Sequence, residues 1–187
     1  MSDSTNRWDT RQLATMALLC SLSLLLSFIE FPIFPAAPFL KYDAAFVPLM
    51  ICAFVYSTGA GIAIGAVQVV IHALITGNFF GAIVNLIVLT GYIAPAAALY
   101  SRGRTRKRAL IGLIIGAAIS IVCAILANLL ITPIYTSTSF ETVLAMIVPI
   151  LLPVNAMKAA INSVLIFVLY KSVSNLIKPK KEQVKGR

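Results

Sequence analysis

Asn155, Lys158 and Asn162 stand inside the apolar stretch "LLPVNAMKAAINSVLIFVLY", residues 151–170, and their spacing of three and four places all of them on one helical face. A lysine at the centre of a membrane helix costs about 2.5–3.5 kcal/mol on insertion scales, so it marks a candidate functional group. Its face has to turn toward protein or toward a polar cavity. No acidic residue is expected at the same depth: Asp3, Asp9 and Glu182 are terminal, Glu30 and Asp43 flank the first outer loop, and Glu141 lies in the last one. An unpaired lysine without buried carboxylates argues against a proton relay or an ion-coupled carrier, and for a pocket that takes an uncharged or anionic polar ligand.

Asn85, Asn128 and Gln68, each in a different apolar segment, are further amides. Either they converge on the same pocket as groups that orient a ligand, or they bond neighbouring helices at about 0.6 kcal/mol each. His72 has no second ligand or carboxylate at helical spacing and reads as a packed or lid-facing neutral ring. Asp43, ahead of "AAFVP", reads as the N-cap of the second helix, with reach toward a ligand as the other possibility. Catalytic motifs are absent: there is no GxxxxGK[ST], HExxH or GxSxG, so no catalytic residue and no ATPase activity are expected of this chain. Cys20, Cys52 and Cys123 sit in apolar segments without paired spacing, which supports neither a disulfide framework nor a metal site.

The elements that carry these groups follow from the apolar pattern. Of 187 residues, 60% are hydrophobic and 11% charged, far below the roughly 25% charged residues of soluble domains. Apolar segments over about 11–31, 44–57, 60–76, 80–101, 109–131 and 143–170 predict an all-α, polytopic membrane protein of six helices. The whole of 1–187 forms a single membrane domain, with 1–10 as a cytoplasmic N-terminus and 178–187 as a basic C-terminal tail. The second segment is short, and Gly59 and Gly61 separate it from the third as a tight hairpin. The small stretch Ala36-Ala37-Pro38 is compatible with a leader cleavage site, but an uncleaved first helix is the expectation.

The net charge of +9 is confined to segment ends and does not form a nucleic-acid face. Arg7 and Arg11, the run Arg102 to Arg108 and the tail from Lys171 to Arg187 hold thirteen of the fifteen bases, and parity puts all three on the cytoplasmic side with both termini. Only Lys41 is left outside and only Lys158 within a helix. The outer loops "FPIFPAAPFLKYD" and "TPIYTSTSFET" are the irregular ones and are either a lid or plain connectors. Trp8, Tyr42, Tyr100, Tyr135 and Tyr170 fit interfacial belts. The pairs Ala17 and Ser21, Ser23 and Ser27, Gly61 and Gly65, and Gly112 and Gly116 have the spacing of close helix contacts, within the bundle or, on the first helix, to a membrane partner.

Three stretches, "FLKYD" at 39–43, "NLLITPIY" at 128–135 and "LLPVNAMKA" at 151–159, resemble the substrate-binding S components of energy-coupling-factor vitamin transporters, riboflavin-type members in particular. The resemblance implies a six-helix subunit of the bacterial cytoplasmic membrane that captures riboflavin, or a close flavin, on the outer side. It needs no cofactor of its own, and it works with a transmembrane coupling subunit and two ATP-binding subunits. By motif it assigns the flavin ring to Asn155, Lys158 and Asn128, the closing loop to Leu40 and Tyr42, and the coupling contact to Ala17 and Ser21. Asp43, Asn85 and Gln68 complete the expected site. The chain departs from the family pattern at Phe46, where a second acid is expected, at "STGAG", and at Gly65 and Gln68 with Val69, where the family carries a Glu and a Lys-Asn pair. A different vitamin is therefore the nearest alternative. A structural subunit of a membrane complex is the alternative of another class, and it predicts that Lys158→Met is neutral or stabilising.

Overall fold

A computed structural model describes residues 8–32 and 40–177. Ala36-Ala37-Pro38, Arg7 and the basic tail 178–187 lie outside the described residues. Among the described residues there are seven α-helices and one short hairpin: α1 Thr10–Phe28, β1 Phe31–Pro32, β2 Lys41–Tyr42, α2 Phe46–Val55, α3 Thr58–Thr76, α4 Phe79–Ser101, α5 Arg106–Thr136, α6 Phe140–Ala145 and α7 Leu152–Ile177. A π-helical turn, Ile147–Leu151, joins α6 to α7. Counting that turn with α7, five helices are long and apolar enough to cross a membrane, while α2 has only ten residues.

Local chemistry sets the boundaries. Ser57, Asn78, Thr105 and Ser139 each accept a backbone N–H from the first turn of α3, α4, α5 and α6. Gly77, at φ 73°, ends α3 in the left-handed region open to glycine. Every residue of α2 is buried, which explains how so short a helix persists: neighbours, not lipid, surround it. Gly61 allows the hairpin with α3, since a Cβ there would lie 2.5 Å from that of Ala53. Gly112 and Gly116 let α5 press against the Ala96 and Tyr92 carbonyls of α4, where a Cβ would come within 2.7 and 2.6 Å. Side chains such as Leu18, Leu74, Val122, Leu130 and Val164 point outward, the reverse of a soluble fold and what lipid requires.

Several expectations are revised. The helix predicted to stop near residue 131 runs through Pro133 to Thr136, where Thr132 and Thr136 hydroxyls bond to Asn128 and to the Thr132 carbonyl. The last segment is not one helix, because Pro149 and Pro153 lack N–H donors and the turn between them widens to i−5 bonding. Tyr100 and Tyr170 are no interfacial belt: both are buried with Phe54, whose ring stacks on Tyr100 at 4.3 Å and meets Tyr170 edge-on at 5.7 Å. Tyr42 is buried as well, whereas Trp8 and Tyr135 are exposed as expected. Of the small-residue pairs, the last three are buried and only Ala17 and Ser21 face outward.

Candidate ligand site

The chain returns from the first loop at β2, which pairs antiparallel with β1, and Lys41 is ion-paired with Glu30. That return carries Asp43 inward. Its Oδ1 accepts the Ala45 N–H at 2.9 Å, and its Oδ2 accepts from Lys158 Nζ on α7 at 2.8 Å. Lys158 also donates to the Lys41 carbonyl at 3.4 Å and stands 5.5 Å from the centre of the Phe46 ring. The expectation of an unpaired lysine is thereby corrected: the two side chains, 16% and 13% exposed, form an ion pair that ties the loop to α7. Composition places Asp43 in a loop, and the β1–β2 pairing is what brings it beside Lys158 on α7. Asp43 is also not the helix cap in the strict sense; α2 begins at Phe46, with Ala45 at the cap position.

Between this loop and the adjoining ends of α3, α4, α5 and α7 lies a cavity of about 390 Å³. That is large enough for a small organic ligand. Among the sequence candidates, Leu40, Asp43, Asn85, Asn128, Asn155 and Lys158 line it. Gln68 lies instead in an adjoining chamber of about 30 Å³ that shares Asp43, Phe46, His72 and Asn85 with the main cavity. Tyr42 lines neither; its phenol donates to Oδ1 of the buried Asn162 at 3.1 Å. Burial, and then the neighbouring Asp43 carboxylate, push this phenol above its ordinary pKa and keep it a donor.

The amides are held in place before any ligand arrives. Asn155, on the cavity wall, donates from Nδ2 to the Leu151 carbonyl at 2.8 Å, which leaves its oxygen and its second amide hydrogen uncommitted among the described residues. Asn128 donates to the Ala124 carbonyl and accepts from Thr132, so one acceptor lone pair and one amide hydrogen are left. Around them stand residues that the sequence reading did not assign to the site: Glu30, Lys41, Phe46, His72, Thr76 and Asn78 all line the cavity. Phe46 is the most telling, since the residue standing in place of an expected acid turns its ring toward the Lys158 ammonium. The signal that could have found the missed pair is Asp43 itself, the acidic residue next to the second apolar segment, since a buried lysine is ordinarily paired. His72 packs on Phe28, ring centres 5.1 Å apart, and its Nε2 has no partner among the described residues. No group of three or more His, Cys, Asp or Glu able to hold a metal occurs among the described residues.

With this geometry in hand, comparison with known proteins is specific. Residues 11–170 match the family model of the ECF transporter substrate-specific component. The riboflavin transporter RibU of Staphylococcus aureus (strain TCH60) is 27% identical over 180 residues, 92% of this chain and 95% of that protein. The riboflavin transporter FmnP of Bacillus subtilis (strain 168) is 31% identical over 172 residues, 86% of this chain and 90% of the relative. A solved S component of a bacterial ECF transporter is similar at a TM-score of 0.78 and 26% identity, over 90% of this chain and 98% of that one. ThiT from Listeria monocytogenes, at a TM-score of 0.62 and 15% identity over 90% of this chain and 97% of that one, shares the fold.

Proposed function

This chain belongs to the family of ECF transporter substrate-specific components, and on that premise we propose that it captures riboflavin, or a close flavin, for import. The observation that carries the reading is the convergence of Lys158, Asn155 and Asn128 on one cavity of about 390 Å³ beneath a loop latched by Asp43. A flavin ring offers carbonyl and ring-nitrogen acceptors to the ammonium and the amide hydrogens. It also offers a flat apolar face to Phe46, Val88 and Val154 on the cavity wall. Leu40 closes the loop from above, and Tyr42 acts at one remove by anchoring β2 to Asn162.

In this reading α1 to α5 and the joined α6 and α7 are six crossings of the bacterial cytoplasmic membrane, with both termini in the cytoplasm and the cavity opening outward. Ala17 and Ser21, exposed on α1, dock the subunit on a transmembrane coupling protein, and two ATP-binding subunits supply the energy. The chain acts as a transport subunit, not as an enzyme, and riboflavin is its cargo, with no resident cofactor. A second reading, another vitamin on the same scaffold, draws on Phe46 and Gln68, which stand where the family pattern carries charge.

The test is the absorbance and fluorescence of the detergent-purified protein, followed by riboflavin titration of the wild type and Lys158→Met. A yellow protein, or flavin fluorescence quenched at 1:1 and lost in the variant, is the expected result. A colourless protein indifferent to riboflavin overturns the flavin assignment and sends the scaffold to a screen of other vitamins.

A further inference from the structure

The α3 and α4 walls of the site each hold an amide that no described residue engages. Gln68 is 3% exposed, lines the chamber of about 30 Å³ and bonds to none of the described residues. Asn85, facing it from α4, lines both the chamber and the main cavity and likewise makes no side-chain hydrogen bond to the described residues. Gln68 is withdrawn from bulk water and Asn85 is half-buried, and two amides with hydrogen-bonding groups uncommitted among the described residues line one small polar space, where the polar groups of a ligand can bond to them.

The remaining chamber wall sharpens the chemistry. Glu30 and Asp43 contribute carboxylates, and Ser27 contributes hydroxyl lone pairs, its proton being committed to the Leu24 carbonyl at 2.6 Å. The chamber is therefore rich in acceptors, with amide hydrogens interspersed. It admits one or two water-sized groups and is far too small for a ring system. Groups that both donate and accept, on a thin chain, meet these conditions; an apolar arm does not.

We infer that Gln68 and Asn85 bind the hydroxyl groups of the ligand's side arm and so set selectivity for a hydroxylated arm over an apolar one. The inference rests on the flavin reading: the ring occupies the main cavity beside Lys158, and the ribityl arm passes Asp43 and Phe46 into the chamber.

Fluorescence titrations with riboflavin and with lumiflavin, which carries a methyl group in place of the ribityl arm, separate the two parts of the ligand. Gln68→Leu is expected to weaken riboflavin about tenfold, the worth of a hydrogen bond or two, and to change lumiflavin by less than about twofold. Asn85→Leu, on the opposite wall, is expected to show the same selective loss, and retained lumiflavin binding reports that each variant is folded. The ligand-free Gln68→Leu protein should be at least as heat-stable as the wild type, because an unpaired amide has been removed. Equal losses for the two flavins, or no loss for either, overturn the inference and leave water as the occupant of the chamber. A wild type that binds neither flavin brings down the flavin reading and this inference with it.

Discussion

Lys158→Met isolates the central contact of the protein. At 2.8 Å, and with an effective dielectric constant of about 20, the attraction between Lys158 and Asp43 is about 6 kcal/mol, most of which the desolvation of the two groups offsets. Removing the lysine takes away the attraction but not the burial of the carboxylate. Asp43, 13% exposed, then keeps the Ala45 N–H and loses its counter-charge. A fully buried pair broken in this way costs about 3–5 kcal/mol, and the open cavity beside this one lowers the expected figure to about 2 kcal/mol. For a chain of 187 residues that corresponds to a fall of about 4–8 °C in Tm. Thermal unfolding in detergent of the wild type, Lys158→Met, Asp43→Asn and the double variant measures it. The double variant should recover about 1–2 kcal/mol of the summed single losses, because neither charge is then stranded. Riboflavin affinity should fall in Lys158→Met and stay low in the double variant, which separates the ligand contact from the latch. A Lys158→Met protein as stable as the wild type, with additive effects in the cycle, would refute the ion pair as a structural latch and favour a purely structural bundle.

Tyr42→Phe removes the donor to buried Asn162 and should cost about 1–2 kcal/mol in thermal stability while raising the riboflavin dissociation rate, measured by stopped-flow fluorescence. Gly116→Val drives a Cβ to 2.6 Å from the Tyr92 carbonyl, a backbone atom that cannot yield, so about 1–3 kcal/mol of destabilisation and loss of monodisperse protein on size exclusion are expected. Gly59→Ala, with nothing within 4 Å, should be neutral or stabilising by up to about 1 kcal/mol in the same assay. Ala17→Trp, on the exposed face of α1, should leave flavin affinity unchanged and abolish uptake in cells that express the coupling and ATP-binding subunits; undiminished uptake would remove α1 from the docking surface.

Much of the helical plan was legible because lipid imposes a coarse and reliable pattern: long apolar runs, charge at the ends and polar residues turned inward. The segments carrying Gln68, Asn85, Asn128 and Lys158 were therefore placed correctly, and five candidate residues within the motifs at 39–43, 128–135 and 151–159, Leu40, Asp43, Asn128, Asn155 and Lys158, do share a cavity. Aromatic positions were legible only in part. Tyr100 and Tyr170 stand near helix ends, where an interfacial ring and a core ring have the same sequence signature, and Phe54 on the buried α2 decides between them.

The sequence alone determined that this is a helical membrane protein, and that one face of its last helix is polar, since burying a lysine and two asparagines toward lipid is too costly to occur by chance. Tertiary structure decided what that face meets. Asp43 and Lys158 are 115 residues apart, and no local spacing relates them; the β1–β2 hairpin and the fully buried α2 bring the carboxylate to the ammonium. The same closure sets Gln68 and Asn85 around one small chamber, a property of how α3 and α4 pack and not of either helix by itself.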